Sequence, residues 1–278
     1  MLLIDPVSVP RLAERYPHAP GRLSHFLAAE PLLGSASLAY AARVLPSHQI
    51  ERRSEHDGAD DAADRAADSG PDPAEIIAAG GPERGSIVIH AIEQLRPYRR
   101  LVDRLLAELA PVIARATGRM HEPTARVILT APGAPTPFHF DNRYNILFQL
   151  SGDKVIAAYP ATPPFLDLDR REACLAGEGN RLAWNPSFAA QGEQHLLSPG
   201  EALFLPHAAP HWVRAGMGAS VALSLTWQCR ASRRLDDALA LNPVARRIGL
   251  APYDPAAAPA PPPLRAVAGR IGRSLNLL

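Results

Sequence analysis

The sequence predicts a mainly β protein with flanking helices: a small barrel or sandwich core, an α+β extension before it and helices after it. Three observations carry this. Between Ala125 and Trp227, short β-branched and aromatic runs alternate with glycine-containing turns. From Tyr98 to Thr117, Leu101, Leu105, Leu109 and Val112 recur at helical spacing. Over residues 229–278 the pattern turns helical again. A chain of 278 residues, 47% hydrophobic and 21% charged, is long enough for one sizeable core with appended segments.

Residues 1–50 mix short helical patches with Pro and Gly, and Leu38 to Leu45 reads as a short strand. From 51 to 85 the chain becomes rich in Asp, Ala and Gly, too poor in apolar surface to offset its ordering entropy. It reads as a mobile acidic insertion, with a short helix at Pro73 to Ala79. The core, 86–228, opens with the β-branched run Ser86 to Ile92, followed by the amphipathic helix and its stop at Gly118. Arg126 to Thr130, Tyr144 to Leu150 and Lys154 to Tyr159 read as strands, and Ser151-Gly152-Asp153 as a hairpin turn between the last two. An irregular excursion, 160–191, precedes a turn and strand at Ser198 to Pro206 and a final strand at Ser220 to Trp227. In the extension, 229–278, a Pro-rich linker from Pro255 to Pro263 leads into a last helix. There Leu264, Val267, Ala268, Ile271, Leu275 and Leu278 form one stripe and Arg265, Arg270 and Arg273 lie toward another face. This favours docking or homodimerisation through the C-terminal helices over a membrane-surface or nucleic-acid helix.

The formal charge of +1 gives no global reason for a nucleic-acid or membrane partner. Cys174 and Cys229 stand far apart, outside any CxxC pair, and read as reduced, incidental thiols. The start, Met1 to Pro6, lacks a basic segment and is broken by Asp5 and Pro6, and no apolar run is long enough for a membrane span. A cytoplasmic protein is expected.

The chemistry-bearing residues lie in Thr136-Pro137-Phe138-His139-Phe140-Asp141-Asn142-Arg143-Tyr144-Asn145 and in Leu205-Pro206-His207-Ala208-Ala209-Pro210-His211. Side chains two apart on a strand point the same way, so His139 and Asp141 can face one cavity. His211, after a strand ending in Leu-Pro, can return to it. Two imidazoles and one carboxylate cover one face of an Fe(II) ion and leave the other for cosubstrate and oxygen. His-x-Asp alone is a weak signal, His211 also reads as a capped loop residue, and His207 is the rival ligand, better suited to the loop surface.

In these motifs the chain resembles the JmjC-type cupins, the double-stranded β-helix (jelly-roll) family of Fe(II)- and 2-oxoglutarate-dependent oxygenases. Thr-Pro-x-His-x-Asp, the Asn four residues past the Asp, Gln-Leu-x-Gly-x-Lys at Gln149 to Lys154, and Gly200 to Pro206 match that family in order and spacing over roughly residues 125–228. Ala-Pro-His-Trp-Val-Arg at Ala209 to Arg214 is most similar to bacterial cupin-like proteins. The resemblance implies that His139, Asp141 and His211 ligate iron, that Lys154 pairs with the distal carboxylate of 2-oxoglutarate, that Thr136 hydrogen-bonds the same carboxylate, and that Asn145 lines the cosubstrate pocket. Two features depart from the family. The strand near Ile87 to Ile92 offers only Ser86 and His90 as polar side chains, and Leu225 stands where some relatives carry Asn.

The implied activity is that of a dioxygenase hydroxylating its substrate. The acidic stretch favours a basic protein or peptide side chain over nucleic acid. A small-molecule or natural-product hydroxylase, and a non-catalytic cupin-like binding or regulatory protein, are the alternatives.

Overall fold

The strands that the sequence predicts after Ala125 form two antiparallel sheets whose inner faces enclose the candidate site. The computed structural model describes residues 2–53 and 71–275. The core strands are β4 (Met120–Thr130), β5 (Pro135–Phe140), β6 (Tyr144–Ser151), β7 (Lys154–Ala158), β8 (Glu193–Leu197), β9 (Glu201–Leu205), β10 (Pro210–Ala215) and β11 (Ser220–Cys229). One sheet has the order β9-β6-β11-β4 at its centre, and the other is β5-β10-β7-β8. Successive strands cross from sheet to sheet, apart from the neighbours β7 and β8. This is the strand order of a double-stranded β-helix, a jelly roll. The larger sheet reaches seven strands because β1 (Gly21–Ser24) pairs with β9, while β3 (Ser86–Ile89) and β2 (Ile50–Arg53) extend the edge beyond β4.

Helices α1 (Ser8–Arg15), α2 (Ser35–Val44), α3 (Pro73–Ala78) and α4 (Arg96–Thr117) lie in the N-terminal part of the chain. The expected amphipathic helix is α4. Its Leu101, Leu105, Leu109 and Ile113 are buried in one cluster with Phe148, Phe204 and Trp227 of the larger sheet. Full burial of each such side chain contributes about 1.5–3 kcal/mol. A second cluster, with Leu147, Ile156, Leu197 and Leu203, fills the space between the sheets, leaving polar side chains only toward its two ends. A third, with Phe138, Tyr159, Phe165 and Phe188, covers the outside of the smaller sheet.

Leu38 to Leu45 is not the strand that its apolar residues suggest but most of α2. Ala39, Ala41 and Ala42 favour helix, and burial of Leu38, Ala39 and Ala41 with Tyr40 exposed follows a helical rather than an alternating pattern. Ser151-Gly152-Asp153 does turn the chain, with Gly152 at φ +64. It is a corner rather than a hairpin, because β6 and β7 belong to different sheets. A Cβ at Gly152 would collide with the Ala219 carbonyl, so the close crossing also demands glycine. Of the stretch read as an acidic insertion, 51–53 belong to β2 and 71–85 include α3, and 54–70 lie outside the described residues.

The C-terminal extension forms α6 (Arg230–Ala240), α7 (Asn242–Arg247) and α8 (Pro263–Ser274), while α5 (Leu168–Leu175) lies in the excursion after β7. α8 packs on α6 through Ala266 and Gly269, not through its larger apolar residues. A Cβ at Gly269 would strike the Asp237 carbonyl, so small residues set the approach. Leu264, Val267, Ile271 and Leu275 remain exposed, and Leu278 lies outside the described residues. Among the described residues, no helix is long and apolar enough to cross a membrane.

Candidate metal centre

β5 and β10 run antiparallel at one end of the barrel, with His139 directly opposite His211. Directly opposed residues share a face of the sheet, so both imidazoles point inward, and their ring centroids are 4.2 Å apart. Asp141 follows the end of β5 and closes the group. Ligand atoms of His139, Asp141 and His211 all lie within 4.8 Å of one another.

Each imidazole is oriented by its own backbone. Nδ1 of His139 donates to the Pro137 carbonyl at 2.8 Å and Nδ1 of His211 to the Ala209 carbonyl at 2.9 Å. A carbonyl can only accept, so the Nδ1–H tautomer is set and Nε2 keeps its lone pair. This is the arrangement that metal-ligating histidines adopt. Burial, aided by the neighbouring His211, pushes His139 down to about 3, and burial lowers His211 as well, so both rings are neutral near pH 7. Burial, the largest single influence, acts to raise the Asp141 carboxyl, but Arg126, His139 and His211 together outweigh it and hold the group ionised, well below the usual carboxylate range.

Arg126, on β4, has no role in the sequence reading. Its Nη2 lies 3.2 Å from Asp141 Oδ1, while Asn145 Nδ2 donates to Asp141 Oδ2 at 3.2 Å. Ser224 Oγ in turn donates to Asn145 Oδ1 at 3.0 Å. Asn145 is thus a brace of the carboxylate. The available signal was alternation along β4: Arg126, Ile128 and Thr130 share a face, and Ile128 packs in the interior cluster.

Lys154 is not a solvated turn residue. It stands 2% exposed inside the barrel, and its Nζ donates to Thr130 Oγ1 at 3.2 Å. Among the described residues no carboxylate pairs with it. Burial lowers its ammonium to about 8, so the group is still mainly charged at pH 7. A buried cation with one neutral partner is a place for an anion.

Thr136 reaches the same interior through a bulge. Pairing shifts from His139 opposite His211 to Thr136 opposite Val213, so β5 carries one residue more than β10 over that span. The extra residue lets Thr136 and His139 share a face despite their odd spacing. Val213, its partner, packs in the interior cluster with Ile156 and Leu147. No side-chain bond joins Thr136 to Lys154, whose hydroxyl partner is Thr130.

His207, the rival ligand, stays outside the cluster. It is not at the loop surface either: its side chain is 7% exposed and its Nε2 is 3.7 Å from Asp236 Oδ1 of α6.

Fold and site together define a cupin-type double-stranded β-helix with a buried His-x-Asp…His constellation at one end and a buried lysine at the other. No protein-family model matches the chain, nor does any curated protein. Solved structures similar to it include YcfD from Escherichia coli, at 16% identity and a TM-score of 0.48 over 96% of this chain and 67% of that one. YcfD described as a ribosomal oxygenase, in complex with cobalt and 2-oxoglutarate, aligns at 14% identity and a TM-score of 0.48 over 99% of this chain and 68% of that one. SnoN, a non-heme alpha ketoglutarate dependent epimerase from nogalamycin biosynthesis, aligns at 17% identity and a TM-score of 0.47 over 81% of this chain and 84% of that one.

Proposed function

We propose that the protein is an Fe(II)- and 2-oxoglutarate-dependent oxygenase that hydroxylates a C–H bond of its substrate. The observation that carries this reading is the buried cluster of His139, Asp141 and His211, with ligand atoms within 4.8 Å of one another. Two neutral imidazoles and one carboxylate suit Fe(II) in a site with open coordination positions. When bound, the metal and 2-oxoglutarate supply the oxidising chemistry, in which 2-oxoglutarate, dioxygen and a C–H bond give succinate, carbon dioxide and a C–OH group.

The protein's part is placement. Arg126 and Asn145 hold the Asp141 carboxylate in place, so the only anion of the ligand set is fixed before any ion arrives. Lys154, with Thr130 beside it and Thr136 facing the same interior, offers the charge partner and hydroxyls that a buried carboxylate requires. Leu147, Ile156 and Leu203 line the span between the two ends and exclude water from it.

A purely binding cupin has no need of a complete three-ligand cluster, which favours the enzyme. As for the substrate, the preference for a protein or peptide side chain rests on the acidic stretch 51–85, much of which lies outside the described residues. A second reading, a small-molecule substrate, is favoured by a cavity beside the cluster. Purified protein supplied with Fe(II) and 2-oxoglutarate should form succinate slowly even without substrate. Absence of turnover together with absence of metal-dependent 2-oxoglutarate binding would overturn the assignment.

A further inference from the structure

Between the rim of the barrel and the C-terminal tail lies a cavity of about 830 Å³. Ala158, Tyr159 and Leu235 are among the apolar and aromatic groups of its wall, and Arg171, His207, Glu193 and Arg234 are among its polar ones. His139, Asp141 and His211 do not line it, but two of its wall residues adjoin His211. Ala158 stands opposite His211 in the sheet, and the carbonyl of Ala209, another wall residue, orients the His211 ring.

Arg171, on α5, is the anomaly in that wall. It is only 6% exposed, its Nη1 makes one long bond of 3.4 Å to the Ala161 carbonyl, and its Nε has no partner. Among the described residues, no carboxylate oxygen forms an ion pair with it, in contrast to Arg126 and its Asp141. Asp236 and Asp254 act on it only from beyond ion-pair distance, and the oxygens of Asp236 take the amide groups of Asn142 at 3.3 Å and Gln228 at 3.2 Å. A guanidinium cannot shed its proton, and a buried charge with no carboxylate in contact is destabilising. The buried Nε2 of His207 also lacks a hydrogen-bond partner. Two buried polar groups without hydrogen-bond partners, beside apolar and aromatic walls, are the features of a ligand pocket.

We propose that this cavity binds a small amphiphilic organic acid, with its carboxylate on Arg171, its apolar body on the Tyr159 and Leu235 walls, and His207 as a further hydrogen-bonding group. A carboxylate can take two parallel hydrogen bonds from the planar guanidinium of Arg171, whose Nε has no partner. The pocket stands independently of any metal. That its occupant is the substrate rests on the oxygenase reading, through the adjacency of the cavity to His211.

The probe is 3-(4-fluorophenyl)propionate, followed by ¹⁹F NMR on the metal-free full chain. Saturable binding is expected, weakened about tenfold or more both by Arg171→Met and by replacing the acid with its neutral amide. Arg171→Lys should fall between, and Lys154→Met should leave the affinity unchanged. Equal binding of acid and amide, equal binding by the Arg171→Met protein, loss on Lys154→Met, or no saturable shift at millimolar probe would each overturn the pocket. The acid-against-amide comparison on the unaltered protein decides the matter if Arg171→Met does not fold. Loading with Co(II) should broaden the bound fluorine signal, and replacing it with diamagnetic Zn(II) should remove the broadening while leaving probe affinity intact. Co(II) bound without broadening would refute the substrate role alone, and failure to bind Co(II) would refute the metal reading while the pocket result stands.

Discussion

The two ends of the barrel interior are built on opposite principles. At the His139 end every polar group has a protein partner: both Nδ1 atoms have carbonyls and both Asp141 oxygens have donors. At the Lys154 end a buried ammonium has a single hydroxyl. The first end is preorganised, since its second row of hydrogen bonds is complete and only the lone pairs facing the centre are free. The second is left incomplete, and its stability in isolation suffers for it. Where a group is satisfied by the chain it serves to position; where it is not, it waits for something from outside.

Removing the shared element of the first end should have the largest effect. Asp141→Ala takes away the only anion of the ligand set and leaves the half-buried Arg126 without its partner. Metal affinity should fall by at least about a thousandfold and stability by about 1–3 kcal/mol, read by calorimetric titration and denaturant unfolding. Retained metal binding would break the comparison at its stronger end.

Lys154→Met should do the reverse to stability. Burial lowers this ammonium from 10.5 to about 8, which weighs about 3 kcal/mol against the protonated fold. The variant should therefore melt higher than the parent while binding 2-oxoglutarate about a hundredfold more weakly. A lower melting point would show the lysine to be satisfied after all.

The same group sets two opposed pH dependences. The unfolded chain binds the proton more tightly than the fold does, so the lysine's contribution to stability rises as pH climbs from about 8 toward 10.5. The carboxylate partner needs the charged form, so 2-oxoglutarate affinity in the Co(II)-loaded protein should weaken by up to about tenfold per pH unit above about 8. A flat profile there would exclude Lys154 as the anchor.

Arg126→Met sharpens the first end more gently. The carboxylate keeps its Asn145 bond but loses its fixed charge partner, and metal affinity should drop about 10- to 100-fold with the ligands intact. The smallest effect concerns the tail. Val267 and Ile271 of α8 are 57% and 54% exposed, so Val267→Glu with Ile271→Glu should leave the melting point unchanged. The double variant should convert a homodimer to monomer by light scattering, and an unaltered mass would remove the expected dimer contact.

Much of this was legible along the chain. The strands after Ala125 read as short apolar runs because some, such as β6, are buried on both faces, and Gly152 stands where the backbone needs positive φ. Helix α2 was not legible as one: an apolar run as short as Leu38 to Leu45 suits either element, and only its packing against the larger sheet's helices decides. The Thr136 bulge was equally invisible, since strict alternation turns Thr136 away from the face of His139 and only pairing with Val213 restores it.

By itself the sequence determined the strand-rich core, the helix from Tyr98 onward and the three residues suited to a metal, because periodicity and ligand chemistry are local properties. Only the tertiary structure decided that Arg126 and Asn145 share the Asp141 carboxylate, that Lys154 is buried beside Thr130, and that Arg171 has no carboxylate in contact. Each of these depends on what the fold brings to a buried group from a distant part of the chain, and the strength of a charge or hydrogen bond is set by that surrounding rather than by the residue.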